Sequence, residues 1–283
     1  RSLVREREER TWPLLVLTGL SPRRILAGKV GSFALQVVLY ASAIAPFLLF
    51  AYLLQGVSLV VVAAVLGLSV AYHLFLSTSA VAAATFGETR LVRGALHFVV
   101  LGALFGAATS GFSFGVAMVS SRGAGDLSSM LTAAGVAAWL MLSYGLVLFA
   151  VAVSRLTFDA DNTVLWPRVA LFLHWAGCSA FCWGVVLSGS RSHDLGLILG
   201  LLGGVHAFLA GLFSACTAPG LSRRLRQRPP RITFAGLLLP GAARGLRFSV
   251  LLVVLFVASG AGLLIVEDRA SVTGRLTDPR SLA

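Results

Sequence analysis

Charge is scarce in this chain, and scarcest where ion chemistry would need it. Asp, Glu, Lys and Arg together make up 12% of the 283 residues, and none lies well inside any of the long apolar runs. Ionisable groups are expensive within a bilayer and mark ion or proton pathways where they occur. Their scarcity argues against an ion-driven carrier or a proton pump, leaving only sites built from hydroxyls and carbonyls. The three cysteines, Cys178, Cys182 and Cys216, all fall in apolar runs and make no disulfide framework. A phosphate-binding loop is also missing. The one Gly-Lys pair, Gly28-Lys29, has Arg23 where the first glycine belongs and Val30 where Ser or Thr belongs. The longest polar stretch, 218–245, is too short to bury a core of its own. No fixed-period repeat and no low-complexity tract is present, and no Ser/His/Asp set or pair of carboxylates within the runs suggests hydrolysis.

What fills the chain instead is apolar sequence, 57% of all residues. A bilayer core of about 30 Å takes roughly 20 apolar residues of helix. Seven runs meet that length: 30–54, 57–85, 95–119, 128–154, 169–189, 195–217 and 246–266. The pattern predicts an all-α, polytopic membrane protein with about seven transmembrane helices. Lys and Arg alternate between the gaps, 18 in one alternate set against 5 in the other. Positive charge resists translocation, so the rich set is expected to be cytoplasmic. That places residues 1–29 in the cytoplasm and the tail, 267–283, outside. The net charge of +12 does not point to nucleic acid, because the basic residues form two clusters beside spans without interleaved aromatics. Anionic lipid headgroups account for them better. The chain begins at Arg1 without Met or a signal-peptide pattern, as expected of a segment of a longer chain.

Packing signals run through the spans. Gly102-x3-Gly106, Gly111-x3-Gly115 and Gly196-x3-Gly200-x3-Gly204 place small residues on single helix faces, for packing within the chain or for a dimer seam. Pro46 is expected to kink the first span, and Gln55-Gly56 to turn the chain so tightly that the first two spans are antiparallel neighbours.

The segment before the first run has its own logic. Residues 2–10 are highly charged, and Thr11 can cap a short helix that tolerates Pro13 in its first turn. Trp12, Leu14, Leu15, Val16 and Leu17 make that helix apolar, and Gly19 can close it. Ser21-Pro22 then starts a new helix, with Pro at its first position. Arg23, Arg24 and Lys29 hold that helix at the headgroups. Such an oily helix either lies in the interface as an anchor or docks into a groove on a partner protein.

The run RERE-x2-TWPLLVLTGLSP-x2-ILAGK resembles the coupling segment of ABC-transporter permeases of the type-2 exporter family. The matching positions are Glu8, Thr11, Leu15, Thr18, Leu20, Ser21, Ile25, Gly28 and Lys29. Arg10, Pro13 and Gly19 depart from the pattern, where Gly, often an acid, and Pro are usual. Pro13 has no carboxylate with which to form the salt bridge that an acidic residue there would make. The resemblance implies that Glu8, Thr11, Trp12, Leu14, Leu15, Leu17, Thr18, Leu20 and Ser21 contact a separate cytoplasmic ATPase subunit, which holds the ATP and Mg. It also implies a further span before Arg1 and a dimer or pseudo-dimer of permeases in the cell (inner) membrane. Softer matches are FGETRLVRGA at 86–95 and FDADNTVLWPR at 158–168.

Other constellations carry less. His174, Cys178 and Cys182 recur at every fourth residue of one span and share a face. With His206 they could bind Cu(I) or Zn, but cysteine is also a small apolar packer. Asp159-x-Asp161-Asn162 lacks the glycine and distal glutamate of a calcium loop and reads as a solvated turn. Leu187-Ser188-Gly189-Ser190 superficially matches an ABC ATPase signature but sits at the outer end of a span. Arg223, Arg224, Arg226, Arg228 and Arg231 hold the chain against anionic lipid or make a second ATPase contact. The sequence therefore leads to a transport subunit without covalent chemistry. A non-transporting membrane scaffold, a membrane-embedded enzyme with an unrecognised site and an ion-coupled carrier stand as alternatives.

Overall fold

A computed structural model describes residues 20–55, 58–86, 124–157, 162–187, 198–205, 207–208, 237–239 and 241–276, with single helical positions between 94 and 113. Among the described residues there is no strand. Five long helices dominate: α1 (Pro22–Gln55), α2 (Leu59–Phe86), α3 (Ala124–Leu156), α4 (Leu165–Leu187) and α5 (Ala242–Leu276). Each contains a stretch long and apolar enough to cross a membrane. The protein is membrane-embedded by this criterion, and its outer surface agrees. Leu35, Phe47, Phe50, Leu53 and Leu54 on α1 are all more than half exposed, an apolar surface that suits lipid rather than water.

Five of the seven expected runs thus correspond to long helices. Of the run 95–119, Phe98, Leu101, Gly102, Phe105, Gly106, Thr109 and Ser113 are described and helical. Of 195–217, the chain forms a π-helical turn at Ile198–Leu202, and Gly203–Val205, Ala207 and Phe208 are helical. The first helix starts at Pro22, where Ser21-Pro22 sets its expected start, eight residues ahead of the apolar run. One boundary differs from the sequence reading: the last helix runs on to Leu276, ten residues past its apolar run. Hydropathy marks the part of a helix that prefers lipid, whereas the backbone ladder continues until something breaks it. At the start of α1 the break is Ser21. The Arg24 amide donates to the Ser21 Oγ at 3.4 Å and to its carbonyl at 2.9 Å, and Pro22 occupies the first helical position, where its missing N–H costs nothing. Ser21→Ala is expected to cost the helix start about 1 kcal/mol, seen as faster amide exchange at Arg23–Ile25 with the rest of α1 unchanged. α1 runs on as one helix across Pro46, which has no N–H to donate to the Ser42 carbonyl.

The chain divides into two compact units, residues 1–157 and 158–283. In the first, α2 packs against both α1 and α3. Their shared core is Leu26, Val81, Ala82, Ala152, Val153 and Leu156, with Phe33, Leu148 and Phe149 against it. These residues bring the N-terminal end of α1 to the C-terminal ends of α2 and α3. Farther along, Gly145 faces the Phe75 backbone, with space for a Cβ 3.8 Å from the Phe75 Cα. The pairs 75 with 145 and 81–82 with 152–153 advance together, so α2 and α3 run parallel, while α1 and α2 are antiparallel as the short connection at 55–58 requires. Parallel α2 and α3 fit the sequence's parity, which sets one further run between them. Hydroxyls inside the spans satisfy themselves locally: Thr78 Oγ1 donates to the Leu74 carbonyl and Thr85 Oγ1 to that of Ala82, both at 2.7 Å.

In the second unit, α5 packs against α4 and against the segment around Ile198–Leu202. Ser179 Oγ donates to Ser259 Oγ at 3.3 Å, and Gly262 lies beside the Trp183 ring, so α4 and α5 are parallel. The segment at 198–208 runs the other way: Gly200 meets Gly260, Gly204 meets Val257, and Ser249 Oγ donates to the Phe208 carbonyl. Gly200 and Gly204 therefore serve packing within the chain. No described atom lies within 4 Å of a Cβ built on Gly102 or Gly106.

Candidate functional site

The residues expected to couple the chain to a partner lie mostly outside the described residues: Glu8, Thr11, Trp12, Leu14, Leu15, Leu17 and Thr18. Leu20 and Ser21 are described and exposed, immediately before α1. Arg23 and Arg24 follow on the surface, and Lys29 is half-buried one turn later. Leu26, between them, is fully buried in the core that joins α1 to α2 and α3. The basic loop residues Arg223, Arg224, Arg226, Arg228 and Arg231 also lie outside the described residues.

Sequence reasoning missed the most unusual polar group among the described residues of the second unit. Arg168, at the fourth position of α4, is 0% exposed, within a helix able to span the membrane. In the sequence it is one of the two arginines in the gap 155–168 between apolar runs. Its Nη1 donates to the Leu239 carbonyl at 2.7 Å and also to the Leu237 carbonyl, and its guanidinium lies 5.7 Å from the centre of the Phe248 ring. Among the described residues its Nε and Nη2 have no hydrogen-bond partner. Asn162 completes the grip: Nδ2 donates to the Leu238 carbonyl at 2.9 Å, while Oδ1 accepts from the Val164 amide at 3.3 Å and so starts α4. Two side chains, one just before α4 and one in its first turn, thus hold three successive carbonyls that precede α5. Gly241 follows with φ +132°, a conformation that other residues rarely adopt, and its carbonyl accepts the first bond of α5 from the Gly245 amide. The sequence signal for Arg168 was faint: one arginine directly after Trp166-Pro167, where an apolar run begins.

The metal candidates are only partly assembled. The Cys178 Sγ lies 3.7 Å from the His174 Nε2, and His174 packs near the Phe256 ring at a centroid distance of 6.4 Å. Cys182 is free and half-buried. Among the described residues no three His, Cys, Asp or Glu side chains converge on one point, and His206 lies outside them.

The first unit contains a cleft of about 430 Å³ between α1, α2 and α3. Ala27, Val30 and Gly31 form one wall, Leu74, Phe75 and Thr78 another, and Met141 to Phe149 the third. Thr78 is the only hydroxyl among these residues, and it already donates to its own helix. The cleft therefore offers an apolar chain a surface and offers water almost no partner. No protein-family model, curated protein or solved structure matches this chain.

Proposed function

We propose that the chain is a membrane-spanning subunit of an ATP-driven exporter in the cell (inner) membrane, coupled through residues 11–21 to a separate cytoplasmic ATPase that holds ATP and Mg. The resemblance of that segment to type-2 exporter permeases supports the reading. The structural observation that carries it is the route from the segment into the bundle. Ser21 starts α1 without a spacer, and Leu26, five residues on, is locked into a core shared with the ends of α2 and α3. A displacement of the segment therefore acts on three helices at once. ATP-driven motion of the partner would shift the population of inward- and outward-open states, and this chain would do no covalent chemistry.

Purification of the full chain from its native membrane tests this. An ATP-hydrolysing subunit should accompany it, and deletion of residues 11–21 should remove at least nine-tenths of that subunit, by analogy with the loss of a hot-spot patch worth roughly 2 kcal/mol or more. A chain that retains its ATPase after the deletion, or never brings one down, refutes the assignment.

A further inference from the structure

The cleft of the first unit lies directly below a basic pair on the same helix. Arg23 and Arg24 precede Ala27 by four and three residues, which places them on the face of α1 that carries Ala27, Val30 and Gly31. Both arginines are exposed. Between them and the cleft the helix presents Ala27, Gly28 and Gly31, all exposed, and Cβ atoms built on Gly28 and Gly31 meet no described atom within 4 Å. A smooth track with no side chain larger than a methyl group thus runs from two positive charges into an apolar recess. The recess falls in the range of roughly 300–1,000 Å³ typical of small-molecule sites. Its position on a span-forming helix, one to two turns below the arginines, is that of acyl chain below headgroup.

We propose that this surface binds one anionic phospholipid, its phosphate between Arg23 and Arg24 and an acyl chain lying along Gly28 and Gly31 into the cleft. Charge selects the occupant. A zwitterionic lipid presents the same chains without the net negative charge that two arginines favour, and an apolar solute would have no use for them. The core of Leu26, Val81, Ala82, Ala152, Val153 and Leu156 adjoins the recess, so a seated chain would rest against the junction of α1, α2 and α3. The site rests on the membrane-embedded fold and is independent of the exporter reading.

The test uses the full chain, reconstituted in vesicles of equal phosphatidylglycerol and phosphatidylcholine, released into detergent and weighed intact with its retained lipid. One phosphatidylglycerol should be retained in preference to phosphatidylcholine. Arg23→Ala/Arg24→Ala should weaken that preference about twenty-five-fold, from roughly a fivefold contribution per arginine near an anionic headgroup. Gly31→Leu, which fills the track where a Cβ meets no neighbour, should abolish retention of either lipid. Gly31→Ala should leave it intact, and serves as the control for folding. Equal retention of both lipids by the unmodified chain, an unchanged preference in the double variant, or full retention in Gly31→Leu would each overturn the proposal. Inorganic phosphate added at high concentration should not displace the lipid. Displacement would show a free-anion site and overturn the seated acyl chain.

Discussion

Arg168→Ala is expected to destabilise the second unit by about 3 kcal/mol or more. The guanidinium makes two bonds to carbonyls, and charge-assisted bonds of this kind contribute roughly 1.5–3 kcal/mol each. Against that stands relief from burying a cation with no acidic partner among the described bonds, a penalty that its contact with Phe248 offsets only in part. The bonds win, because deletion leaves the Leu237 and Leu239 carbonyls without their donor in a setting where water is a poor substitute. Arg168→Met keeps the volume but not the donors and should fall between the parent and the alanine variant. Arg168→Lys keeps the charge but not the planar fork, and should lie closer to the parent. Unfolding in mixed micelles gives the order, and amide exchange at 241–248 should rise in step with it. An alanine variant as stable as the parent would mean that the turn before α5 holds without the clamp.

Gly203→Ala should be nearly as damaging, through overpacking rather than lost bonds. A Cβ built on Gly203 falls 2.5 Å from the Phe256 Cδ1 and 2.8 Å from its Cε1, distances that real Cβ atoms do not show. Phe256 is 2% exposed, so its ring has nowhere to retreat. The expected loss is about 2–3 kcal/mol, at the upper end for an added methyl group in a packed core. Phe256→Leu should rescue part of it by vacating the space, although alone it leaves a cavity and destabilises. A thermal melt of the two single variants and the double variant measures the coupling. Simple additivity would show that the helices separate freely at this point.

How far the sequence revealed this architecture differs from element to element. The long helices were legible because roughly 20 apolar residues in a row admit little else. Ser21-Pro22 was legible as a start because a cap acts within three residues of itself. The overrun of α5 to Leu276 was not, since hydropathy does not report on backbone bonding. Arg168 went unnoticed for a different reason. Its acceptors are main-chain carbonyls 69 and 71 residues away, and a carbonyl carries no residue identity that a pattern could flag. The glycine motif at 196–204 suggested close approach without saying to what, and α5 supplied the answer for Gly200 and Gly204. The cleft belongs to three helices jointly. The coupling residues from Glu8 to Thr18 rest on the resemblance.

The long separation between Arg168 and its acceptors also sets a schedule for biosynthesis. A ribosome adding roughly 5–20 residues per second needs several seconds to go from Arg168 to Leu239. During that interval α4 must wait at the lipid boundary with an arginine whose final acceptors do not yet exist, its side chain stretched toward the headgroups. Only when the turn at 237–239 emerges can the charge be withdrawn from the aqueous edge and α5 be seated beside it. A nascent chain halted before that turn should therefore carry Arg168 accessible to water-borne reagents, and a chain released after it should not.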